Sequence, residues 1–90
     1  MINYYSTIDE VVLTFSNIKR NEQGFETIIA RFERANNNGF DYAEWKLPCI
    51  SNIKGFGFSE DEILEQERYL RNNSILIWEI AREKELSSIA

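Results

Sequence analysis

Histidine is absent from this 90-residue chain, and with it goes the side chain that most often moves protons near neutral pH. Serine or cysteine triads lose their base, and ordinary zinc sites lose their usual nitrogen ligand. Cysteine occurs once, at Cys49, so no intrachain disulfide can form and a reducing compartment is the expected setting. Flanked by Pro48 and Ile50, that thiol is expected to be buried and structural rather than nucleophilic. No apolar run approaches the length of a membrane span, and the first fifteen residues lack a basic start, so the expected location is cytoplasmic. A basic excess is missing too. The formal net charge is −5, which disfavours generic binding to a phosphate backbone.

What is present is ordinary globular chemistry: 43% apolar, 13% aromatic and 28% charged residues. That balance lies well away from disordered chains. A chain of this length is expected to form one domain, 1–90, with one core. Most of the negative charge falls after residue 39, where Ser59 with Glu62 three positions later reads as a capping box opening a helix. Glu60, Asp61 and Glu62 lie at its positive end, and Glu67 stands four residues before Arg71, an order that agrees with the helix macrodipole.

Upstream, Val11, Leu13 and Phe15 would share one face of a strand, although Ile8, Val11, Val12, Phe15 and Ile18 also recur at helical spacing. Asn17 to Gly24 reads as a connection. Phe25 to Phe32 fits either a strand burying Ile28, Ala30 and Phe32 or a helix burying Phe25, Ile28, Ile29 and Phe32. The asparagine cluster before Gly39 and the β-rich run from Phe40 to Leu47 favour a hairpin across Asn38-Gly39, with Trp45 on the core face. Ile63, Leu70, Ile77 and Ala81 line one helical face, while Ile75-Leu76-Ile77-Trp78 is apolar on all sides and is expected to be buried. Whether 75–81 is a second helix or a closing strand stays open. Tyr4 and Tyr5, in a polar and aromatic lead, suit a contact surface.

Two groups of residues carry candidate function. Glu60, Asp61, Glu62, Glu65 and Glu67 concentrate carboxylates on the capped helix. Asp61 and Glu65 could share a hard cation, but an oxygen cage needs more ligands, so neither a metal nor another cofactor is expected. The second group is Lys54-Gly55-Phe56-Gly57-Phe58, which resembles the start of the ribonucleoprotein motif of RNA recognition motif domains. Leu13 to Ile18 is faintly similar to that family's second short motif. The resemblance implies that Phe56 and Phe58 stack on unpaired bases, that Gly24 to Arg34 is a helix, and that Ile75 to Ala81 is the last strand. Thr14 stands where the family has a stacking aromatic, and Ser59 opens a helix where the family continues its strand.

The sequence therefore predicts an α+β domain: a three- or four-stranded, mainly antiparallel sheet over about 10–58, packed against C-terminal helices over about 59–87. The expected function is that of a small non-enzymatic protein-binding or regulatory accessory module, of bacterial or phage type, whose acidic surface docks a basic protein. Membrane and nucleic acid are disfavoured as partners. The alternative is a single-stranded RNA-binding domain using Phe56 and Phe58.

Overall fold

The computed structural model describes residues 2–89 and is an antiparallel sheet covered by one helix. In chain order the elements are β1 (Ile2–Ile8), β2 (Val11–Ser16), β3 (Lys19–Arg20), β4 (Glu26–Asn36), β5 (Gly39–Leu47), β6 (Ser51–Phe56) and α1 (Glu60–Ile89). The sheet runs β1-β2-β4-β5-β6, and the two-residue β3 pairs with the start of β4. The α+β class and the antiparallel sense are as the sequence predicts. The strand count is not: the sheet has six strands, because the N-terminal lead is itself a strand and the 17–24 connection contributes another.

Alternation explains the core. Leu13 and Phe15 from β2, Ile28, Ala30 and Phe32 from β4, and Ala43, Trp45 and Leu47 from β5 are all buried on one face. Cross-strand registers Leu13↔Phe32 and Ala30↔Trp45 bring them side by side. The segment 25–35 is therefore strand rather than helix, and the asparagine cluster closes a hairpin. Its turn is Asn37-Asn38, one residue earlier than predicted, with Asn36 opposite Gly39.

From α1, Leu70, Ile77 and Ala81 complete this core, with Ile63 packed against it. One uninterrupted helix replaces the predicted break at Asn72-Asn73-Ser74, and 75–81 is neither a second helix nor a strand. Asn73 is retained in mid-helix because its amide nitrogen donates to the Tyr69 carbonyl at 2.7 Å and its oxygen accepts from the Tyr5 hydroxyl at 2.6 Å. A polar residue that would otherwise favour a break instead ties the helix to β1. Helical geometry also corrects the reading of the apolar quartet. Ile77 is fully buried and Trp78 half-buried, but Ile75 is 78% exposed and Leu76 49% exposed.

The helix start matches its predicted chemistry. The Ser59 N–H donates to Glu62 Oε1 at 2.9 Å, and the Glu62 N–H donates to Ser59 Oγ at 3.2 Å, a reciprocal capping box. Substituting Ser59 by alanine is expected to destabilise the fold by about 1 kcal/mol, read as a lowered urea midpoint with unchanged slope.

The helix is also fastened to the sheet by ion pairs at both ends. Near its start Arg34 of β4 bonds both Glu62 and Asp41 of β5. Towards its end Arg82 holds Glu26 through two bonds of 2.8 and 2.9 Å, and Arg20 bridges Glu26 and Glu85. The bond from Arg82, supported by Arg20, depresses the Glu26 carboxyl to about 2. The sign follows directly: folded Glu26 keeps its charge after the unfolded chain has taken up a proton. Its contribution is present above the ordinary carboxyl value near 4.5 and is lost as the pH falls from there towards 2. Acid titration of the urea midpoint is expected to show this loss, and Arg82→Ala is expected to flatten it.

Candidate functional site

The β1–β2 hairpin forms one wall of a cleft. Within β1 the alternation changes phase at a bulge between Tyr4 and Ser6. Asn3 faces inward before it, buried, with its amide nitrogen donating to the Phe15 carbonyl and to Asn17 Oδ1. After the bulge Ser6 pairs with Leu13 and Ile8 with Val11, which turns Ser6 and Ile8 towards the helix side. The hairpin closes through Asp9 and Glu10, both at positive φ (50° and 70°). That geometry suits asparagine and glycine better than glutamate.

Between this hairpin and the first half of α1 lies a cleft of about 210 Å3. Ile8, Val11, Leu13, Phe32, Phe58 and Tyr69 supply its apolar lining. The polar groups are Ser6, bonded to the Tyr69 hydroxyl at 2.9 Å, together with Gln66, Arg34, Asp9, Glu62 and Glu65. Gln66 is only 7% exposed and accepts a 3.0 Å bond from the Trp45 indole N–H.

The predicted acidic cluster is divided by the fold. Glu62 is committed to the cap and to Arg34, whose bond, ahead of that from the Ser59 N–H, holds the Glu62 carboxyl below its ordinary range. Glu67 pairs with Arg71 at 2.9 Å. Glu60, Asp61 and Glu65 are exposed, and no ion pair engages them among the described residues. Glu65 alone of these three lines the cleft, opposite Asp9. Among the described residues no group of three carboxylates and thiols comes together as a metal site.

The ribonucleoprotein-like segment forms β6, a strand at the edge of the sheet. The strand-and-helix order implied by that resemblance is absent, since 24–34 belongs to a loop and β4 and 75–81 to α1. Phe56 is 72% exposed and pairs with Tyr42 across the strands. The strand then ends, Gly57 turns the chain at φ +96°, and Phe58 lies under the Arg34 guanidinium at 4.7 Å in the cleft. The two phenylalanines thus do not form one stacking platform. Outside, the register Tyr4↔Thr14↔Arg31↔Glu44↔Lys54 makes a polar row across the open face. Within it Arg31 pairs with Glu44 and sits 4.5 Å over the Tyr42 ring.

Cys49 corrects another expectation: it is exposed. The turn at 48–50 sends Ile50, at φ +51°, back towards the core and leaves the thiol outside, donating to the Lys46 carbonyl at 3.3 Å. Tyr4 is exposed as expected, whereas Tyr5 packs edge-on against Phe15 and Tyr69. Burial raises the Tyr5 hydroxyl above its usual value. Gln66, Asp9 and Arg34 were not singled out by the sequence. Gln66 left one signal, a polar residue midway between Ile63 and Leu70 on the core stripe.

No family model, curated protein or solved structure matches the chain. No helix among the described residues is long and apolar enough to cross a membrane.

Proposed function

We propose that this protein is a non-enzymatic binding module that docks a basic protein through the acidic start of α1. The observation that supports the reading is the division of the carboxylates. Glu62 and Glu67 are neutralised within the molecule, yet Glu60, Asp61 and Glu65 stand exposed with no ion pair among the described residues. Carboxylates concentrated at one place steer an oppositely charged partner and set its approach. An apolar cleft with polar rims lies beside these carboxylates, which supports a binding role.

The test is retention from a cell extract, with and without nuclease, on immobilised wild type, on E60Q/D61N/E65Q and on Phe56→Ala. A protein held by the wild type, released by salt and lost by the triple variant supports the reading. Capture of nucleic acid that disappears in Phe56→Ala overturns it in favour of RNA binding. Equal retention by the triple variant overturns the role of the carboxylates.

A further inference from the structure

We infer that the cleft between the β1–β2 hairpin and α1 receives a short peptide segment carrying an apolar side chain next to lysine or arginine, with a main-chain carbonyl bound by Gln66. This rests on the docking reading above and names the chemistry of its partner.

Size limits the occupant first. At about 210 Å3 the cleft falls below the roughly 300–1,000 Å3 of sites that enclose a cofactor or drug-sized molecule. It suits one or two side chains. Val11, Leu13, Phe32 and Phe58 line it with hydrocarbon, so the group that fills it is apolar.

Gln66 supplies the second condition. An indole N–H can only donate, so the bond from Trp45 fixes the Gln66 carbonyl oxygen towards the indole and leaves the amide NH2 on the other side. That NH2 makes no hydrogen bond among the described residues, although the residue is more than nine-tenths buried and lines the cleft. The NH2 is not sealed off, since among the described residues the buried side-chain atom without a partner is the Trp78 indole nitrogen. With the cleft empty the NH2 is left to water, and an occupant that displaces that water must replace its bond. A peptide carbonyl entering with an apolar side chain would supply the acceptor.

Charge supplies the third. Arg34 is balanced by Asp41 and Glu62, so it offers little to an incoming anion. Asp9 and Glu65 are exposed on the cleft lining and engage no ion pair among the described residues. An acidic segment is repelled there, and a basic residue beside the anchored side chain is drawn to the rim.

The experiment titrates the whole 15N-labelled protein with N-acetyl-leucyl-arginine amide, N-acetyl-leucyl-glutamate amide and arginine amide, following backbone and side-chain amide resonances. The expected result is that the leucyl-arginine probe shifts Val11, Phe32, Tyr69 and the Gln66 side-chain NH2, and binds roughly tenfold more tightly than the glutamate probe. In the D9N/E65Q variant, whose spectrum should remain that of the folded protein, this preference is expected to vanish. Equal binding of the glutamate probe to the wild type overturns the inference. So does arginine amide binding as well as the leucyl probe, since the apolar lining would then contribute nothing. Shifts confined to Glu60 and Asp61 sink the cleft while leaving the acidic docking surface standing. Silence towards every cationic probe sinks both.

Discussion

Replacing Trp45 by alanine is expected to cost about 3–5 kcal/mol, a large share of the roughly 5–15 kcal/mol that holds a typical domain folded. Two effects act together. The indole is 2% exposed and is the bulkiest fully packed side chain of the core, so its loss opens a cavity that Ala30, Leu47 and α1 cannot close by small shifts. The Gln66 carbonyl loses its donor inside that cavity. Trp45→Phe separates these contributions, keeping most of the volume while removing the N–H. Urea denaturation should place it between alanine and wild type, and a Trp45→Ala midpoint near that of the wild type would mean the core is not built around this ring. Trp78, which the sequence suggests is equally central, should matter less because it is only half-buried.

The second large effect is expected at Gly57. Its φ of +96° alone disfavours any side chain, and a Cβ there would lie 2.1 Å from Asp41 Oδ1 and 2.9 Å from Asp41 Cβ. Displacing Asp41 would disturb the bonds it accepts from Asn36 at Oδ1 and from Arg34 at Oδ2, and Arg34 holds Glu62 at the start of the helix. Gly24 provides the control, for it has a similar φ of +86° with nothing within 4 Å of its would-be Cβ. Alanine at Gly24 should therefore show the backbone strain alone, on the order of 1–3 kcal/mol. Gly57→Ala should exceed it and should shift the amide resonances of Arg34 and Glu62. Equal losses at the two positions would show that Asp41 moves aside freely.

The elements read correctly from the sequence are those whose pattern and context agree. Val11, Leu13 and Phe15, and again Ile28, Ala30 and Phe32, alternate as strands, and all of them are buried except Val11, which is partly buried. The capping box at Ser59 and Glu62 is local chemistry and is legible as such. β1 was hidden because two of its inward positions, Asn3 and Ser6, are polar and because the bulge at Tyr5 breaks the period of two. The continuous helix was hidden because Asn73 is satisfied by Tyr5, sixty-eight residues away in the chain. The cleft was least legible of all. Its lining residues, among them Asp9, Phe32, Phe58 and Gln66, meet only once the sheet is folded, and no short motif contains them.

The meander carries a consequence for how the molecule opens. Almost every strand pairs with a neighbour in sequence, so loop closure adds little to the entropic cost of forming the sheet. Yet the apolar face of that sheet has one cover, α1, which follows all the strands in the chain. A free sheet would present Leu13, Phe15, Ile28, Phe32, Trp45 and Leu47 to water, so detachment of the helix cannot stop at a stable half-folded stage. Slow amide hydrogens of β2, β4 and β5 and those around Leu70 and Ile77 should then exchange together, in a single event whose free energy equals that of unfolding the whole protein.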